Sequence, residues 1–116
     1  MTNEKIFAMK LSKVYPMLVQ KAERKGRTAD EVYQVTCWLT GYSEKELLHL
    51  LDSDIAYGDF FEQSPAFHPN SALIKGVVCG VRVETVEDPL MRRIRLLDKL
   101  ADELAKGKSM EKILRE

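Results

Sequence analysis

Cysteine is scarce in this chain: two of 116 residues, Cys37 and Cys79. Two thiols cannot build the disulfide framework of a small secreted domain, and both sit among apolar neighbours, as core thiols do. An excess of charge of one sign is also missing, since 18 Lys and Arg balance 18 Asp and Glu. That balance argues against a chain whose main task is gripping phosphate backbones or anionic lipid. No apolar run approaches the roughly 18 residues of a membrane span, and the polar start MTNEKIFAMK lacks a signal peptide's apolar core. A cytoplasmic domain with no membrane contact is the expectation. Phosphate-cradling glycine loops are absent, because GVVCG at 76–80 fits neither GxGxxG nor a Walker pattern. Paired metal ligands are absent too. Cys37, His49, His68 and Cys79 are separated by eleven, eighteen and ten residues, whereas structural zinc sites pair ligands about two to four residues apart. No cofactor and no metal are expected.

What is present describes one ordinary globular unit. The length suits a single domain over 1–116, and 45% apolar with 31% charged residues is too apolar for disorder. Charge is unevenly spread. Residues 1–40 carry seven basic and four acidic side chains, 41–70 one and six, and 71–116 ten and eight, so an acidic middle lies between mildly basic ends.

Helix boundaries are well marked. Ser12 is a suitable N-cap for Val14, Tyr15, Leu18, Val19 and Ala22, with Pro16 in the first turn and Gly26 as the stop. Thr28–Glu31 and Ser43–Glu46 are capping boxes ahead of apolar stripes, the first ended by Gly41. A short helix from Asp54 would turn Ile55, Phe60 and Phe61 inward before SPAFHPN breaks the chain. Asp88 and Pro89 open a long helix with Leu90, Ile94, Leu97, Ala101 and Leu104 on one side. Gly107 stops it, and Ser109 caps a last short helix.

Residues 73–86 read two ways. Ile74, Val77, Val78 and Val81 have helical spacing, with Ser71 as cap. Val77, Cys79, Val81 and Val83 alternate as a strand does, and Gly76 and Gly80 cost a helix on the order of 1 kcal/mol each. A strand needs a partner, and only 5–11, where Phe7, Met9 and Leu11 alternate, offers one. The expectation is a mainly α domain of five to six helices, with helix favoured at 73–86 and a minor two-stranded ribbon (5–11 with 76–84) as the other outcome.

KGRT, WLTGY, GVVCGVRVE, EDPLM, LDKLADELAKGK and MEKIL, spread from about residue 25 to residue 115, together resemble the signature blocks of a bacterial family, the domain of unknown function 2200. The resemblance implies a short cytoplasmic bacterial protein and assigns no activity or site residue.

Function must therefore be weighed on chemistry. Cys79 as a nucleophile would need His49 or His68 as base and Arg82 to hold a thiolate, yet its valine surroundings suit an inert buried thiol. Glu84, Glu87 and Asp88 could form an acid/base pair, but Asp88 is better explained as a helix cap. Lys21, Arg24, Lys25 and Arg27 cluster at a turn between helices and could meet phosphates, with Arg92, Arg93 and Arg95 as a second group. The balanced charge and the missing aromatic interleaving weigh against a nucleic-acid binder. The leading expectation is a non-enzymatic helical interaction module, binding a protein partner or itself, with Trp38, Tyr42, Tyr57 and Phe67 as interface aromatics.

Overall fold

Three side chains start three helices as their chemistry requires. Thr28 and Ser43 each accept the backbone N–H three residues on, while Glu31 and Glu46 reach back to the cap N–H, opening α3 (Ala29–Thr40) and α4 (Glu44–Leu51). Asp88 Oδ1 accepts from Leu90 N at 2.9 Å and Met91 N at 3.0 Å, opening α6 (Pro89–Ala105). The computed structural model describes residues 3–115. Its other helices are α1 (Asn3–Ala8), α2 (Leu11–Glu23), α5 (Tyr57–Glu62) and α7 (Met110–Ile113), with one hairpin of β1 (Val77–Val78) and β2 (Val81–Arg82). Short 3-10 turns occupy Pro69–Leu73 and Val83–Thr85.

The long helix α6 is the centre of the fold. It packs on α2, α3 and α5, and it also supports the hairpin and α7. Met91, Ile94, Leu97, Leu100, Ala101 and Leu104 are all buried along it. They join Leu11, Tyr15, Val35, Leu39, Phe60 and Phe61 in one apolar cluster. A radius of gyration of 13.0 Å is what a single-core domain near this length shows.

Two expectations about the N-terminal third are corrected. Helix α2 begins at Leu11, with Lys10 in the cap position and no capping side chain, so Ser12 is not its cap. The start is set from outside: Leu11 N donates to Ile55 O at 3.0 Å and Tyr57 N to Met9 O at 2.7 Å. Pro16 then falls inside the helix rather than in its first turn, and the carbonyl of Ser12 loses its usual partner. Residues 5–11 are not a strand either. Most of them form α1, which lies so close to α5 that a Cβ on Gly58 would sit 2.7 Å from Phe7 Cβ.

The favoured helix at 73–86 is also absent. A two-stranded ribbon exists, but it pairs within itself, Val77 with Arg82 and Val78 with Val81, and not with 5–11. Cys79 and Gly80 form its tip at φ 51° and 76°. Two successive positive φ angles define the tight hairpin turn whose twist matches the strands, and no helix passes through them.

Candidate functional site

A groove of about 340 Å³ lies beside the opening of α6. Buried Ile74, Val83 and Leu96 make its floor, Phe67 one wall, and Arg92 and Arg93 stand over it. Fold position explains each group. Phe67 belongs to a loop pinned against the end of α3, where Ala66 N donates to Thr40 O at 3.1 Å and His68 N to Leu39 O at 2.9 Å. Gly41 makes that approach possible, since its φ is +83° and a Cβ there would lie 2.7 Å from Ala66 N. Arg93 stacks 4.5 Å above the Phe67 ring and donates to Phe61 O at 2.8 Å and Ser64 Oγ at 3.0 Å. Arg92 donates to Glu84 O at 2.6 Å.

Glu84 and Glu87 both line this groove. Glu84 is already engaged. The Gly76 N–H and the Arg82 guanidinium hold Glu84 at about 2, so it is a fixed carboxylate that clamps the base of the hairpin. Asp88 is spent on capping α6.

Cys79 is exposed at the hairpin tip, correcting the expectation of a buried core thiol. The valines that suggested burial face other ways in the hairpin: Val78 and Val83 are buried while Val77 is exposed. Arg82 pairs with Glu84 at 3.0 Å. His68 accepts the Asn70 N–H at Nδ1 and stacks on Trp38 at 4.2 Å, and His49 is exposed on α4. No base is arranged on the thiol by these contacts. Among the described residues, no three His, Cys, Asp or Glu side chains converge as metal ligands.

The basic turn is divided. Arg27 binds Glu31 through Nε at 3.0 Å and Nη2 at 2.7 Å, and its Nη1 donates to Leu104 O at 3.3 Å and Lys108 O at 2.7 Å. It ties the start of α3 to the end of α6. Lys21 pairs with Asp102 at 3.4 Å. Arg24 and Lys25 are exposed. In the second basic group, Arg95 meets Asp98 at 3.5 Å.

The four aromatics also separate. Tyr57 is 1% exposed, and Tyr42 is buried with its hydroxyl donating to Phe60 O at 2.7 Å. Trp38 and Phe67 are half-buried; Trp38 stacks on His68, and Phe67 lies under Arg93 at the groove.

Residues 5–115 match the family described as "Uncharacterized protein conserved in bacteria (DUF2200)". The chain belongs to that family. The DUF2200 chain is also similar to a solved structure titled "Crystal structure of uncharacterized protein SP1917", at 50% identity and a TM-score of 0.93. The match covers 97% of this chain and 93% of the other. No curated protein matches. Neither description assigns an activity, and no helix among the described residues is long and apolar enough to cross a membrane.

Proposed function

We propose that this DUF2200 protein is a non-enzymatic cytoplasmic interaction module whose groove beside Phe67 receives a short segment of a protein partner. The carrying observation is Arg93 stacked on Phe67 above an apolar floor, with Arg92 at the rim. Guanidinium groups above apolar surface suit a segment with an aliphatic side chain next to a carboxylate, the one seated on the floor and the other forked by arginine. Arg82 and the Gly76 N–H already satisfy Glu84, which lessens its repulsion of an acidic ligand. The exposed thiol of Cys79 is suited to a reducing compartment. The nucleic-acid reading is weaker, because Lys21 and Arg27 are engaged internally.

Displayed-peptide selection tests this. Enrichment of aliphatic–acidic peptides is expected, with binding that perturbs the amides of Phe67, Ile74 and Arg92 and is lost in Arg92→Glu. Selection of no such peptides, or binding unaffected by Arg92→Glu, overturns the reading. Light scattering that finds a dimer broken by Arg92→Glu replaces the outside partner with a second copy.

A further inference from the structure

On the other side of the 71–75 segment lies a second cleft, of about 480 Å³, with different chemistry. Lys75, Lys99, Lys106, Lys108 and Arg115 line it, around Glu103. These cations come from three separate parts of the chain: the turn before the hairpin, the end of α6, and the segment after α7. Asp102 pairs with Lys99 at 3.5 Å and Lys106 at 3.1 Å, and Glu103 with Arg115 at 2.7 Å and Lys108 at 3.5 Å. Five lining cations against Glu103 and the neighbouring Asp102, which also holds Lys21, leave a surplus of positive charge in one concavity.

Helix C-termini favour cations, which accounts for Lys106 and Lys108 by themselves. It does not account for Lys75 and Arg115 arriving from elsewhere. Nor does it account for Glu103, which is 5% exposed and has a buried oxygen, Oε1, with no hydrogen-bond partner. A buried carboxylate oxygen without a donor is costly. An anion would neutralise the cations, and a hydroxyl on the same molecule would supply the missing donor once Glu103, whose Oε1 is closed to solvent here, turns toward the cleft.

We propose that this cleft binds a small organic phosphate carrying hydroxyl groups, of sugar-phosphate size. The volume lies within the range of small-ligand sites. Among the described residues no aromatic side chain lines the cleft, so a nucleobase has nothing to stack on, which sets a nucleic acid below a compact phosphate. The site is distinct from the Phe67 groove, and its test does not depend on that reading.

Titration of the labelled protein with ribose 5-phosphate, inorganic phosphate and a single-stranded RNA oligonucleotide, followed by amide shifts, decides the matter. Ribose 5-phosphate is expected to move Lys75, Lys106, Lys108 and Arg115, and to bind more tightly than inorganic phosphate. Lys75→Glu with Lys106→Glu should raise its dissociation constant by roughly tenfold or more. Arg24→Glu with Lys25→Glu, at the remote basic turn, should not. Lys75→Ala with Lys106→Ala repeats the test should the charge reversal disturb the fold. Absence of shifts at the cleft, equal weakening by both charge-reversal pairs, equal affinity for inorganic phosphate, or tighter binding of the oligonucleotide there would each overturn the proposal.

Discussion

Arg27 shows how one side chain can look like a surface charge and act as a joint. It is largely buried for an arginine, its side chain only 15% exposed, and all of its contacts are internal: the Glu31 carboxylate and the carbonyls of Leu104 and Lys108. Reversing its charge would leave those carbonyls facing a carboxylate and push Glu31 against a like charge. Arg27→Glu is expected to cost on the order of 2–3 kcal/mol, while Lys25→Glu stays within about 0.5 kcal/mol, both read from urea midpoints. Equal effects would mean that the Arg27 contacts contribute little. Cys79 is the reverse case, a residue that looks internal and is not. Its positive φ favours Asn or Gly, so Cys79→Asn should stabilise the protein by roughly 0.5–1 kcal/mol. The native thiol should label at a rate near that of the denatured chain. Slow native labelling would require the hairpin tip to be covered.

Among the elements, α6 carries the most weight, and its start is the simplest to test. Removing the Asp88 carboxylate leaves two backbone N–H groups without their acceptor, so Asp88→Ala should lower stability by about 1 kcal/mol. Asp88→Asn should recover most of that, as an N-cap would; failure of the recovery would point to a different role for the charge. Helices α3, α4 and α6 were legible because a capping box or an Asp–Pro start is local chemistry, complete within four residues. The hairpin was hidden by its own turn. Cys–Gly is an unusual occupant of a tight turn, and without recognising it the strand had to seek a distant partner. The start of α2 was hidden for another reason, since Ile55 and Tyr57, far along the chain, set it. Both candidate sites share that limit. The Phe67 groove needs the end of α3 beside a loop, and the basic cleft needs Lys75 and Arg115 at the end of α6. Neither convergence has a periodic signature, and nothing in the sequence singled out Lys75, Lys108 or Arg115.

At the scale of the molecule, balanced charge makes stability depend on where individual carboxylates sit. Glu84 is held at about 2 by the Gly76 N–H and Arg82, and Glu31 is lowered by Arg27 and the Thr28 N–H. Such groups contribute stability above their unfolded values, and that contribution is lost as pH falls through their folded ones. Asp98 has the opposite sign. Burial raises it from 3.8 to about 6, against the pull of Arg95 and Lys21. A carboxyl that prefers its proton when folded contributes stability below its unfolded value, and loses it as pH rises from about 4 to about 6. Above that window the folded protein carries a buried carboxylate at a cost on the order of 2 kcal/mol, because each tenfold change in proton affinity is worth about 1.4 kcal/mol and relaxation recovers part of it. Asp98→Asn keeps the shape and removes the ionisation. It is therefore expected to match the parent near pH 4 and to exceed it at pH 7 by roughly 1–2 kcal/mol in urea unfolding. The carboxylates with lowered values are common to both proteins and cancel in this difference. A variant that instead loses stability at pH 7 would show that the Arg95 ion pair outweighs the burial of Asp98.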